Sequence, residues 1–205
     1  GITQVVVAGG VAAAALWVFL ASRLGLPVSG SHSLIAGVAG AGLAHGGIGL
    51  LERDGLSRIL QGLVVSPIFG FLLAYMAMLA IYWLLRRVTP ARITAIFSKL
   101  QILTAGWMAF SHGSNDAQKT MGIIPLAIAV FYTWEAKGIP FEVPLWVIIL
   151  SGSTMAVGTY LGGHRVINTL GVRIVKMRSP QGFAAEMSAA TVIEVASRTG
   201  VPVST

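Results

Sequence analysis

Long apolar stretches alternate with short polar or basic connections along this chain. Ile2 to Ser22, Ser33 to Leu51, Ile59 to Leu85 and Val143 to His164 contain no Asp, Glu, Lys or Arg. Each is about as long as a helix must be to cross the hydrocarbon core of a bilayer. Their richness in Gly and Ala suits helices that pack closely in lipid. The pattern predicts an all-α integral membrane protein. Gly25 and Pro27 break the first run, and Ser31 or Ser33 is placed to cap a second helix over Leu34 to Leu51. Ile59 to Leu85 is long enough to cross with tilt, with Pro67 as a kink and Tyr82 and Trp83 at an interface. Leu100 to Trp134 is a further span, interrupted by the polar decapeptide Ser111 to Thr120.

Composition agrees with this picture. The chain is 55% hydrophobic and 10% charged, with a mean hydropathy of +0.81. A soluble domain carries roughly 25% charged residues. The net charge of +7 gathers in two basic stretches, Arg86 to Lys99 and Arg165 to Arg178, as expected of loops on the inner face of a membrane. No basic run is interleaved with aromatics, so nucleic acid is excluded as a partner. The absence of cysteine excludes a disulfide framework and a thiolate metal site. The chain is predicted to be a multi-pass protein of the cell inner or plasma membrane, with the lipid bilayer as an obligate partner. Assembly into a homo-oligomer is compatible with this reading.

An internal repeat adds organisation. Ala21 to Gly30 aligns without gaps on Ala196 to Thr205, differing only at Leu24/Thr199, Leu26/Val201 and Gly30/Thr205. Three crossings separate the copies, so they face opposite sides of the membrane, and the same count puts both basic loops on one side. Opposed discontinuous helices or re-entrant hairpins meeting near the midplane are the mark of an inverted-repeat secondary transporter. Residues 1–85 are then the C-terminal part of a first repeat, 86–99 a basic cytoplasmic loop, and 100–205 the N-terminal part of a second.

The polar positions supply candidate chemistry. The second half of a broken helix offers backbone N–H groups and the positive end of its dipole to an anion. Ser29, Gly30 and Ser31, with Ser204 and Thr205 in the second copy, are small and let an anion reach the backbone; the alternative is an ordinary helix cap. Asn115 and Asp116 present an amide oxygen and a carboxylate, hard ligands suited to Na⁺ or to a proton. Lys119, three residues on, can pair with Asp116, so a purely structural ion pair is the competing reading. His32 and His112 are candidates for proton handling, with a structural hydrogen-bonding role as the plainer account.

Phe110 to Gly122, the Pro-Val-Ser elements at Pro27 and Pro202, and Gln181 to Glu186 resemble the inorganic phosphate transporter family, PiT. The similarity covers essentially the whole chain, and Phe110 to Gly122 is similar to the second copy of that family's Gly-Ala-Asn-Asp signature. It implies ion-coupled symport of inorganic phosphate without a cofactor or enzymatic step. It also implies that Asn115 and Asp116 serve the substrate and coupling ion, and that Ser29, Gly30, Ser31, Ser204 and Thr205 cradle phosphate. Two departures stand out. Only one copy of the signature is present, so the sequence reads as the middle of a transporter, from late first repeat to late second repeat. Ala117-Gln118-Lys119 also replaces the usual Val-Ala-Asn, which favours H⁺ over Na⁺, although Na⁺ at Asp116 stays open. Helix ends and hydroxyls do not by themselves separate phosphate from sulfate or arsenate; phosphate rests on the resemblance. Two readings from other classes compete: an intramembrane serine-type hydrolase using Ser29 or Ser31, His32 and Asp116, and an inert structural membrane subunit.

Overall fold

In the computed structural model, which describes residues 3–132 and 143–200, every regular element is helical. They are α1 (Gln4–Leu24), α2 (Gly30–Gly46), a 3₁₀ turn (Ile48–Leu50), α3 (Arg53–Leu84), α4 (Pro90–Tyr132), α5 (Leu145–Gly162), α6 (His164–Asn168), a π turn (Thr169–Ile174) and α7 (Ser179–Thr199). α1, α3, α4 and α5 are long and apolar enough to cross a membrane. At 1.5 Å per residue α3 is about 48 Å long and α4 about 65 Å. Both exceed the roughly 30 Å of a hydrocarbon core.

Burial differs from that of a water-soluble protein. Ser31, Thr104, Ser111, Asn115, Ser151 and Ser188 are buried, whereas Phe69, Phe71, Tyr75, Met76 and Trp83 of α3 are exposed. Gly62 is the one buried residue of α3. Lipid is as apolar as leucine, so little is gained by hiding a large aliphatic group; the polar groups need internal partners.

The described residues form two compact units. One contains α1, α2, the first turn of α3, α4 from Asp116 onward, α5 and α6. Within it α1 and α2 form a helical hairpin whose crossing is set by glycine. A Cβ built on Gly10 would lie 2.6 Å from the Cα of Val38, and one on Gly37 would collide with the carbonyl oxygen of Gly10. Any larger residue at either position would force the helices apart. The other unit contains α3 from Arg58, α4 up to Asn115, and α7. Here α7 packs on α4: the Phe97 and Phe183 rings meet edge to face at 5.1 Å, and the Thr104 hydroxyl donates to Glu186 Oε2 at 2.5 Å.

The repeat is visible in local structure. α1 and α7 both run for 21 residues and stop on a left-handed glycine, Gly25 at φ 71° and Gly200 at φ 70°. After α1 the N–H of Gly25 donates to Ser22 and that of Leu26 to Ala21, so the last carbonyls are satisfied by the turn itself. Ser204 and Thr205, the second cradle, lie outside the described residues.

Three expectations need correction. The second helix begins at Gly30 rather than Leu34 and ends at Gly46 rather than Leu51. Its cap is Ser29, whose Oγ accepts the His32 N–H at 3.1 Å, whereas Ser33 donates back to the Ser29 carbonyl and Ser31 lies inside the first turn. The decapeptide Ser111 to Thr120 does not interrupt its helix: α4 is continuous through it, because none of its residues is proline and every one of them can keep its backbone donor in the helical ladder. Finally, much of 86–99 is helical, since α4 starts at Pro90 and carries Arg92 and Lys99 on its first turns.

Candidate functional site

The break between α1 and α2 sets one side of the candidate site. Gly25 turns the chain and Ser29 restarts it, which brings Ser31 onto the first turn of α2. Ser31 is 6% exposed, and its hydroxyl donates to Asp116 Oδ1 at 3.1 Å. Lys119, one turn beyond Asp116 on α4, closes the triangle, with Nζ 2.5 Å from Ser31 Oγ and 3.0 Å from Asp116 Oδ1. The Lys119 and Asp116 side chains are 19% and 21% exposed, so the pair is shielded without being sealed. A cavity of about 270 Å³ opens beside them, lined by Gly30, Ser31, Leu34, Asp116, Lys119 and Thr120 together with apolar residues of α1 and Met155 of α5.

This arrangement gathers a carboxylate, an ammonium, hydroxyls and the amino end of a helix around one opening. The ammonium and helix end favour an anion; the carboxylate favours a cation or a proton. A site with both can couple the two, because adding or removing one charge changes the cost of holding the other.

Asn115 belongs to the other unit and its surroundings are different. It is 4% exposed, and Ser197 of α7 donates to its Oδ1 at 3.3 Å. Its amide nitrogen has no hydrogen-bond partner, and neither does the hydroxyl of Ser111, one turn earlier on the same helix and 1% exposed. Unsatisfied buried polar atoms are costly, and these two share one face of α4. Neighbouring residues of a helix point about 100° apart, so Asn115 and Asp116 serve different surroundings despite being adjacent.

The two candidate histidines are placed differently. His32 lines a separate opening of about 610 Å³ with Ser29, Ser33 and Trp17, and His112 sits one turn before Asp116 on α4. Among the described residues no group of three His, Cys, Asp or Glu side chains is placed to hold a metal ion.

Sequence reasoning singled out Ser31, Asp116 and Lys119, which the structure brings together. It overlooked Thr120 at the same cavity and Ser111 and Ser197 around Asn115. Ser197 carried a usable signal: it belongs to the repeated Ala-Ser-Arg segment, opposite Ser22.

Comparison with known proteins gives the chain's family and fold. The phosphate transporter family matches over residues 1–94 and 85–205. A probable low-affinity inorganic phosphate transporter of Rhizobium meliloti is 41% identical over 189 residues, covering 92% of this chain and 54% of the relative. Its counterpart in Bacillus subtilis is 33% identical over 202 residues, covering 98% of this chain and 60% of the relative. The chain thus spans little more than half the length of these relatives. A solved structure described as the sodium-dependent phosphate transporter superposes with a TM-score of 0.81 over 99% of this chain and 68% of the other, at 22% identity, which establishes a shared fold. This multi-pass membrane chain therefore belongs to the phosphate transporter family.

Proposed function

We propose that this chain supplies one part of an ion-coupled carrier of inorganic phosphate. The observation that carries the reading is the Ser31–Asp116–Lys119 triangle beside an open cavity at the start of α2. Ser29, Gly30 and Ser31 form one phosphate cradle, with Ser204 and Thr205 as its counterpart in the second copy. Asn115 is a further phosphate-binding residue within its own unit, and Asp116 with Lys119 handles the coupling ion. His32 and His112 are secondary candidates for moving protons. The segments 1–85 and 100–205 act as portions of two inverted repeats joined by the cytoplasmic stretch 86–99. Whether the chain works as a homo-oligomer has no bearing on this chemistry.

The coupling ion is a proton. Lys119 already sits where a monovalent cation would neutralise Asp116, and a proton taken up or released by the triangle changes its charge without needing room for a metal. The relatives named as low-affinity inorganic phosphate transporters support the choice of substrate. The solved structure named as sodium-dependent keeps Na⁺ as the competing ion. Uptake of labelled phosphate into proteoliposomes of the intact protein, with a proton gradient or a sodium gradient alone, separates the two. A proton gradient alone should drive accumulation, and strict dependence on sodium would overturn the assignment.

The hydrolase reading loses its geometry. Ser31 and Asp116 share a cavity that His32 does not line, and Ser29, which shares the opening of His32, does not line that cavity and accepts the His32 backbone N–H as a helix cap.

A further inference from the structure

The two copies of the repeat differ in charge at one position. In the second copy Arg198 of α7 is held by Glu194, one turn back, with Nη2 2.9 Å from Oε1. The residue that aligns with Glu194 in the first copy is Phe19. There Arg23 lies over the aromatic ring, its Cζ 4.8 Å from the centroid. The copies thus share an arginine just before the turn, but only the second carries its own counter-charge.

A second guanidinium reaches the same place. Arg165, on the first turn of α6, donates from Nη1 to the Arg23 carbonyl at 2.6 Å. Thr169 fastens α6 from behind by donating to the Arg165 carbonyl at 3.0 Å. The negative end of α1 is therefore answered by Gly25, Leu26 and Arg165 together. Arg165 keeps four further N–H donors, and Arg23 keeps all five. Among the described residues neither arginine forms a salt bridge. Of the described acids in this unit, Asp116 is held by Lys119, and Glu52 and Asp54 follow the far end of α2, about 25 Å of helix away.

We propose that Arg23 and Arg165 form a binding site for a phosphate-bearing anion at the α1–α2 turn, separate from the cavity of Asp116. The Arg165 guanidinium is anchored at the Arg23 carbonyl and the Arg23 guanidinium rests on the Phe19 ring one turn back; each fork matches the oxygens of a phosphate group. Free inorganic phosphate and the headgroup of an anionic lipid present the same oxygens. At the second turn Arg198 is paired with Glu194, so among the described residues the two ends of the repeat are unequal in charge.

The test uses the intact protein and two probes. One is labelled inorganic phosphate, titrated onto protein in lipid-free detergent; the other is spin-labelled phosphatidylglycerol, titrated into nanodiscs of neutral lipid. Arg23→Gln and Arg165→Gln should each weaken one probe by about five- to tenfold, as expected for loss of one charge-assisted contact. Arg23→Lys should recover only part of the loss, since an ammonium keeps the charge without the fork, and Arg198→Gln should change neither probe by more than about twofold, since its charge already has a partner. Loss in the phosphate arm identifies the free anion as ligand, and loss in the phosphatidylglycerol arm identifies the headgroup. The proposal is overturned if neither probe responds to Arg23→Gln and Arg165→Gln, or if Arg198→Gln costs as much as they do. Asp116→Asn, measured alongside, tests the coupled-carrier reading separately.

Discussion

Substituting Gly10 by alanine tests how the α1–α2 hairpin is held. The added Cβ would stand 2.6 Å from Val38 Cα, 2.8 Å from Val38 N and 3.0 Å from Gly37 C. Carbon atoms in contact sit about 3.5–4.0 Å apart, so the helices must separate by about 1 Å at their crossing. All three obstructing atoms are backbone, and no rotamer change relieves them. Overpacking of this kind costs about 1–3 kcal/mol, and with backbone on the receiving side the upper half of that range applies. Alanine returns about 1 kcal/mol through better helix propensity. Gly9→Ala is the matched control, because a Cβ there meets nothing within 4 Å and only the propensity gain applies. The two neighbouring substitutions should therefore differ by about 2–3 kcal/mol, which for a chain of this size is about 4–12 °C in unfolding midpoint. Thermal unfolding of both variants in one detergent, followed by tryptophan fluorescence, reads the difference. A Gly10→Ala midpoint equal to or above that of Gly9→Ala would refute the close crossing, and with it the placement of Ser31 by that hairpin.

Asp116→Asn should abolish coupled phosphate uptake while leaving the protein folded and inserted, because the amide oxygen still accepts from Ser31 and Lys119. Near-normal uptake by that variant would refute a coupling role. Gly25→Ala should cost about 1–2 kcal/mol for the left-handed backbone alone, with a further penalty where its Cβ would meet Thr169 Oγ1 at 3.3 Å. Gly200→Ala has the same backbone strain and no such neighbour, so it should melt above Gly25→Ala; the reverse order would show that α6 does not press on this turn.

The apolar runs, the charge bias and the break at Gly25 and Pro27 were legible without coordinates, because each follows from local rules: span length, loop charge and backbone geometry. The chemistry of the decapeptide was equally legible, since Asp116 and Lys119 lie within one helical turn whatever the fold does around them. That α4 runs unbroken through Ser111 to Thr120 was not legible, because polar side chains signal their need for partners and not whether the helix continues. Helix limits within the Gly- and Ala-rich stretch around Leu34 also lay beyond pattern reading, since small residues permit a helix without specifying where it begins. Only the tertiary structure decided which hydroxyls met which charges. Ser31 reaches Asp116 across 85 residues, and Ser197 reaches Asn115 across 82. It also turned the repeated arginines into unlike sites, one answered by Glu194 and the other joined by Arg165 from 142 residues away. Hydrophobic and steric rules act along a few turns of chain and are written in the local sequence. Partnerships between distant polar groups depend on how the helices pack, and only the folded arrangement contains them.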